Sequence, residues 1–252
     1  MLGLIDLFNL FGRNIKPDNY RQHSPIVYYT DIHNRIHNSD EKRDIWFYFV
    51  PYAIEEHGFL KRSYFADKNS NIYCYETDST YLIKPNPNET ASLLEEICQD
   101  ASESIERKLG EGNEINILGI SLGNSIALKL ASVYPCNNLV SVVGGARLWE
   151  CIKDSLYTKS IFNKSGFSEE DYKNALEKFN AIDYLDKINA KNIHIFLGGF
   201  DKVVRFKHGK ELAEKFKSKS KNVNIKIYKI MDHCSTMYFA GKDLASSLFN
   251  NG

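Results

Sequence analysis

The sequence has no excess of either charge. Lysine and arginine together number 32, and aspartate and glutamate also number 32, so the formal net charge of the 252 residues is zero. A protein that binds nucleic acid through its phosphates normally carries a strongly basic surface. The composition therefore argues against nucleic acid as a partner.

The cysteines follow no pattern that is typical of disulfide frameworks or zinc sites. There are five of them, an odd number, and no two stand in a CxxC spacing. Cysteines that are scattered and in no CxxC spacing indicate a reducing compartment and no structural metal. We therefore predict a cytoplasmic location and no metal.

No stretch is long and apolar enough to span a membrane. The most apolar segment, Met1–Phe11, contains Asp6 and Asn9 and is far too short for a bilayer. It also lacks the basic start and small-residue cleavage site of a signal peptide. We place residues 1–20 outside the core, either packing on the body as a helix or resting on a membrane or lipid as an interfacial helix. Weak peripheral contact with a membrane or lipid is thus left open.

Short apolar runs alternate with segments of helical periodicity. We predict strands at 24–30, 45–50, 71–76, 115–118, 139–145, 193–197 and 223–227. We predict helices at 55–67, from an N-cap at Asn88 to Gly110, at 126–131 before Pro135, and at 206–217 and 243–249. This order favours a mostly parallel central sheet with helices on both faces, built by residues 1–252 as a single α/β domain.

Residues 146–190 interrupt the alternation. They are polar and helical in character, and they contain no clear strand. We interpret them as a small helical cap inserted into the domain.

One serine lies where a strand is expected to turn sharply into a helix. Ser121 stands between Gly119 and Gly123 in the sequence GISLG, with apolar runs on both sides. A GxSxG match occurs by chance in about one chain in twenty of this length, so the pattern alone is weak. The strand-turn-helix context is stronger, because a nucleophile on such a bend needs small neighbours and lies at a helix N-terminus. Ser121 is our candidate nucleophile.

A serine hydroxyl needs a base to take its proton. Of seven histidines, His233 follows the last predicted strand, in a loop at its carboxyl end, where parallel sheets place their reactive groups. We expect His208 on the solvated face of a helix and His194 inside a strand. His233 is therefore the candidate base.

The imidazole in turn needs an acid that holds its tautomer. Asp201 ends the strand that begins near Ile193, and Gly198 and Gly199 before it allow the turn to direct its carboxylate. Asp232 adjoins His233 in sequence and is the second candidate, because adjacent residues seldom orient their side chains onto each other.

These segments resemble the α/β-hydrolase superfamily. GISLG at 119–123, LGGFD at 197–201 and His233 are similar to its nucleophile, acid and base segments, in the same order. The resemblance covers roughly residues 45–249. It implies an α/β-hydrolase fold and a Ser121–Asp201–His233 triad, with the N–H of Leu122 as an oxyanion donor.

One segment departs from that family. Members often carry His-Gly after the third strand, where a backbone N–H completes the oxyanion hole. Here the strand is followed by Pro51, which has no N–H, so the second donor would be Tyr52 or its neighbour. We interpret His57-Gly58, further on, as coincidental.

The sequence thus predicts a serine hydrolase that cleaves a small-molecule ester or thioester through an acyl-enzyme, without metal or organic cofactor. Two alternatives remain open. An acyltransferase would use the same triad with another acceptor, and an inactive scaffold would use the fold for binding alone.

Overall fold

The computed structural model describes residues 20–23, 26–32, 44–50, 70–77, 82–219 and 222–249. Three features predicted above lie outside these ranges. They are the apolar segment Met1–Phe11, the helix at 55–67 and the oxyanion candidate Tyr52.

One sheet runs through the described residues. Its strands are β1 Tyr20–His23, β2 Ile26–Ile32, β3 Asp44–Val50, β4 Ser70–Thr77, β5 Ile115–Ile120, β6 Cys136–Val142, β7 Ala190–Gly198 and β8 Val223–Tyr228. Their order across the sheet is β1-β2-β4-β3-β5-β6-β7-β8. The pairs β1–β2 and β2–β4 are antiparallel, and every pairing from β4 to β8 is parallel. The predicted mostly parallel sheet is confirmed.

Helices follow or connect the parallel strands. They are α1 Pro87–Gly110, α2 Gly123–Ala131, α3 Leu148–Asp154, α4 Lys159–Lys164, α5 Glu169–Leu176, α6 Phe206–Lys219 and α7 His233–Phe249. Two 3₁₀ turns, Glu177–Phe179 and Ala181–Lys187, lie between α5 and β7.

Strand β3 shows how the sheet is covered on both faces. Phe47 and Phe49 belong to an apolar cluster with residues of α1, α2 and α6. Trp46 and Tyr48, which alternate with them, belong to a second cluster with residues of α7. Because successive strand side chains point to opposite faces, an unbroken apolar run such as IWFYFV needs a helical layer on each side. The prediction of helices on both faces is confirmed.

Several predicted boundaries were wrong. Helix α1 is capped by Asn86, whose side chain accepts from the N–H of Asn88, so the N-cap is not Asn88 itself. Strand β6 ends at Val142, three residues before the predicted end at 145. Helix α7 begins ten residues before the predicted 243, which makes His233 its first residue instead of a loop residue.

The polar segment between β6 and β7 is helical. It consists of α3, α4, α5 and the two 3₁₀ turns, and no strand lies between Val142 and Ala190. Its action as a cap stays a prediction. Within the described ranges, no helix is both long and apolar enough to cross a bilayer.

Candidate active site

Ser121 occupies a strained turn between β5 and α2. Its φ angle is 54°, in the left-handed region that residues other than glycine rarely adopt. Its N–H donates to the carbonyl of Val142 at the end of β6, with an N···O distance of 2.8 Å. The serine is therefore fixed at the carboxyl edge of the sheet, in the kind of backbone that often marks functional sites.

The two glycines of GISLG are required by close approaches. A Cβ at Gly119 would lie 2.6 Å from the Cβ of Ala127 and 2.7 Å from Asn124 Cα. A Cβ at Gly123 would lie 2.2 Å from the carbonyl oxygen of Phe49. The turn is thus pressed against its own helix on one side and against the end of β3 on the other, which leaves no room for side chains.

Asp201 and His233 are in direct contact. Nδ1 of His233 lies 2.7 Å from Oδ2 of Asp201, at hydrogen-bonding distance. Both side chains are almost completely buried, with 3% and 2% of their surface exposed. A carboxylate bound to Nδ1 keeps the proton on that nitrogen and leaves Nε2 as the basic atom.

The second oxygen of Asp201 is also fixed. Oδ1 accepts from the backbone N–H groups of Val203 and Val204, at 2.8 and 2.9 Å. Both carboxylate oxygens therefore have partners, and the plane of the carboxylate cannot rotate without breaking them. No local pattern predicts this support, because it depends on the path of the turn after β7.

The glycines before Asp201 allow the strand to approach the His233 segment. A Cβ at Gly198 would lie 2.4 Å from Oγ1 of Thr236, and one at Gly199 would lie 2.3 Å from the carbonyl oxygen of Lys229. Their role is thus close packing against the region around α7. Neither has a positive φ angle, so the conformational freedom predicted for them is not what the turn uses.

Asp232, the second candidate acid, serves another purpose. Its Oδ1 accepts from the N–H of Ser235 at 2.8 Å, and its carbonyl accepts from Thr236 at 3.0 Å. These bonds are typical of a helix N-cap. Asp232 therefore starts α7 and presents His233 at its first position.

The topology brings Ser121 to the same edge as the Asp201–His233 pair. Ser121 follows β5 and Asp201 follows β7, two strands away, which corresponds to about 10 Å across a sheet. Ile120, beside the serine, and Met237, one turn beyond His233, belong to the same apolar cluster. An imidazole that bonds Asp201 through one ring nitrogen and Ser121 through the other would suit the distance of about 10 Å between these two strand ends.

The backbone around Ser121 offers a site for negative charge. No described residue accepts from the N–H of Leu122 in the turn, and the N-terminus of α2 follows immediately. Unpaired N–H groups and the positive end of a helix stabilise a developing oxyanion. The close contact of Gly123 with Phe49 also places the end of β3 beside this helix start.

The prediction that His208 lies on a solvated face was wrong. It is buried, with Nε2 3.0 Å from Asp154 and Nδ1 3.4 Å from Glu150 of helix α3. Carboxylates on another helix, which local sequence does not reveal, allow this burial. His194 lies within β7 as predicted. In the parts of the chain that are described, no group of His, Cys, Asp and Glu has an arrangement that could hold a metal ion.

The fold is similar to those of several solved hydrolases. A puromycin-hydrolyzing peptidase from Mycobacterium tuberculosis has a TM-score of 0.63 and 14% identity, over 88% of this chain and 36% of the peptidase chain. The 2,6-dihydroxy-pseudo-oxynicotine hydrolase has a TM-score of 0.62 and 16% identity, over 98% and 72% of the two chains. MGS-MChE2, an α/β hydrolase from the metagenome of lagoon sediments of Mar Chica, Morocco, has a TM-score of 0.53 and 19% identity, over 92% and 97%.

These similarities establish the fold. This chain spans only about a third of the length of the Mycobacterium tuberculosis peptidase. No protein-family model and no curated protein matches the sequence. The chain has the α/β-hydrolase fold, as the motifs around Ser121, Asp201 and His233 predicted.

Proposed function

We propose that this α/β-hydrolase-fold chain is a serine hydrolase that cleaves a carboxylic ester or thioester through an acyl-enzyme. The observation that carries the proposal is the buried 2.7 Å contact between His233 and Asp201 at the sheet edge where Ser121 adopts its left-handed turn. The solved structures with the same fold include hydrolases, which supports this reaction class.

The residues have the following roles in this proposal. Asp201 holds the proton on Nδ1 of His233, so that Nε2 takes the proton of Ser121 as its Oγ attacks the acyl carbon. The N–H of Leu122 stabilises the oxyanion of the tetrahedral intermediate. When this collapses, His233 gives its proton to the leaving alcohol or thiol, and Ser121 keeps the acyl group.

The acyl-enzyme is then released by the reverse roles. His233 takes a proton from a water molecule, the water oxygen attacks the acyl carbon, and Ser121 leaves with the proton returned by His233. An acyltransferase would differ only in the acceptor, an alcohol in place of water. The chemistry of this chain needs no metal or organic cofactor.

The nucleophile is tested by labelling with a fluorophosphonate, which reacts covalently with activated serines. We expect wild-type protein to be labelled and Ser121→Ala to show no labelling. Ser125→Ala is the matched control, because Ser125 is also buried and lies one turn along on α2. Labelling that persists in Ser121→Ala, or is lost in Ser125→Ala, would reject Ser121 as the nucleophile.

The substrate class is tested by turnover. p-Nitrophenyl esters of short and long acyl chains, acyl thioesters and aminoacyl amides should be compared, with competing alcohols to detect acyl transfer. We expect hydrolysis of esters or thioesters. Cleavage restricted to amides, or alkyl esters as the main products, would replace the proposed reaction by a peptidase or an acyltransferase.

The cytoplasmic location and the weak lipid contact of residues 1–20 are further parts of this proposal. The location rests on the scattered cysteines of the sequence. The lipid contact rests on residues 1–19, which lie outside the described residues, since Tyr20 begins β1. Flotation of the full chain with lipid vesicles tests the lipid contact by comparison with a chain lacking residues 1–19, which keeps β1 intact.

A further inference from the structure

A buried asparagine lies directly behind the Ser121 turn. Asn124, the second residue of α2, has no exposed surface. Its backbone N–H donates to the carbonyl of Ser121 at 3.1 Å. The side chain lies between α2 and the end of β6, two parts of the chain that are separate in sequence.

Both ends of the Asn124 amide contact the neighbouring strand end. Oδ1 accepts from the hydroxyl of Ser141 on β6 at 2.6 Å, and Nδ2 donates to the carbonyl of Gly145 at 3.5 Å. A buried amide with both ends bonded is oriented uniquely, because any rotation leaves a polar group without a partner. Asn124 thus ties the start of α2 to the turn after β6.

That turn is shaped around the asparagine. A Cβ at Gly144 would lie 2.3 Å from the Cγ of Asn124, so a side chain there would displace the amide. Val143, just before it, has a φ angle of 47°, a strained conformation for a β-branched residue. Val142, one residue earlier, accepts the hydrogen bond from the N–H of Ser121.

Ser121 and Val143, the two strained residues, follow the neighbouring strands β5 and β6, and two links join these strand ends. The backbone bond from Ser121 to Val142 is one link, and the amide of Asn124 is the other. Left-handed backbone at such residues is strained and persists only where the surroundings hold it. The hydrogen bonds of the Asn124 amide are contacts of this kind, directly behind the Ser121 turn.

We propose that Asn124 is a positioning residue for Ser121: its buried amide, bonded to Ser141 and Gly145, locks the left-handed turn that aims the serine hydroxyl. This inference rests on the proposed function of Ser121 as nucleophile. It adds a residue that acts through the backbone of the turn and does not touch the substrate.

A matched control lies near the start of β5, the strand that ends just before Ser121. Asn116 on β5 is also buried, its Nδ2 donates to Ile45 and its Oδ1 accepts from Asn138 on β6. It lies five residues before Ser121, about 16 Å along a strand. Asn116→Ala therefore removes a similar buried amide between β5 and β6 without touching the turn.

The experiment measures the rate at which a fluorophosphonate reacts with the full chain, over a range of probe concentrations. The dependence on concentration separates the reaction rate at saturation from the affinity for the probe. In Asn124→Ala we expect the saturating rate to fall about tenfold or more, since small misplacements of a nucleophile have effects of this size or larger. The affinity should stay within about twofold, because the probe does not contact Asn124. Asn116→Ala should keep the wild-type rate.

Hydrogen–deuterium exchange gives a second readout that does not need catalysis. The N–H of Ser121 should exchange faster in Asn124→Ala than in wild type. In Asn116→Ala its exchange rate should equal that of wild type. A wild-type chain that is not labelled at Ser121 would reject the proposed function alone, and the exchange result would still decide the role of Asn124.

The proposal is overturned if Asn124→Ala reacts and exchanges like wild type, or if Asn116→Ala slows the reaction equally. If Asn124→Ala does not fold, Ser141→Ala replaces it, because this variant removes only the donor to Oδ1. A slower saturating rate and faster Ser121 exchange in Ser141→Ala then support the proposal, and wild-type values reject it.

Discussion

At the scale of single residues, the candidate site contains two buried side chains, Asp201 and Asn124, whose oxygen and nitrogen atoms are all hydrogen-bonded. Asp201 binds His233 with one oxygen and two backbone N–H groups with the other. The amide of Asn124 is likewise bonded at both ends. Groups that are fixed before a reaction, and the groups that they position, need no reorganisation in the transition state. Single substitutions that keep size and change one atom are therefore informative here.

Asp201→Asn should reduce fluorophosphonate reactivity and ester turnover by about a thousandfold or more, because an amide does not hold the reactive tautomer of His233. Asp232→Asn is the matched control. It makes the same change next to His233, and asparagine caps a helix as well as aspartate does. Rates near wild type in Asp201→Asn, or an equal loss in Asp232→Asn, would contradict the assignment of Asp201 as the orienting acid. The measurement is the rate of fluorophosphonate labelling and of ester turnover at several pH values, for wild type, Asp201→Asn and Asp232→Asn.

Gly123→Ala should destabilise the fold and slow labelling of Ser121. The new methyl group would meet the carbonyl of Phe49 at 2.2 Å, and this backbone cannot move without shifting β3. Overpacking of this kind costs about 1–3 kcal/mol or more. Gly110→Ala, at the end of α1, has nothing within 4 Å and should be close to neutral. Denaturant unfolding compares the two variants, and equal stability would contradict the close packing of the turn.

At the scale of elements, the sequence predicted the turn at Ser121 better than the helix that begins with His233. The GISLG pattern between apolar runs predicted Ser121 at the turn, because strand, glycines and helix are all local signals. The start of α7 was missed, although Asp232 and Ser235 stand at N-cap spacing. The burial of His208 was also missed, since Glu150 and Asp154 lie more than fifty residues away.

The cap of α7 has a consequence for the site. Asp232→Ala should lower the free energy of unfolding by about 1 kcal/mol, as loss of an N-cap usually does. It should also slow labelling of Ser121, because fraying of the first turn releases His233, the first residue of α7. Asn86→Ala removes the cap of α1 and is the control. We expect a similar loss of stability in denaturant unfolding but no loss of labelling, and equal labelling in both variants would contradict a role for this cap.

At the scale of the whole molecule, the alternation of strands and helices predicted the architecture. It did not predict the side-chain hydrogen bonds between elements that are distant in sequence. Burial on both faces of a run such as IWFYFV is visible in sequence, so the parallel sheet and its two helical layers followed. The bond between Asn124 and Ser141 depends on register between β5 and β6, which no local pattern specifies. No local pattern specifies the turn after β7 either, in which two backbone N–H groups donate to Asp201.

The stability of the whole fold should fall in mild acid because of His194. This side chain lies within β7, and its two ring nitrogens are buried without a hydrogen-bond partner among the described residues. Burial lowers the pKa of His194 below its usual value. The unfolded chain therefore takes up the proton first as the pH falls below about 6.5, and the folded state loses stability from there towards the lowered pKa.

His194→Leu should remove this part of the pH dependence, because leucine does not titrate and suits a half-buried strand position. The measurement is the free energy of unfolding by urea between pH 7.5 and 5, for wild type and variant. We expect the variant to gain stability relative to wild type as the pH falls. Asn192→Leu, two residues earlier on the same face of β7, is the control and should run parallel to wild type. If the His194→Leu curve is also parallel to wild type, protonation of His194 does not limit the fold in acid.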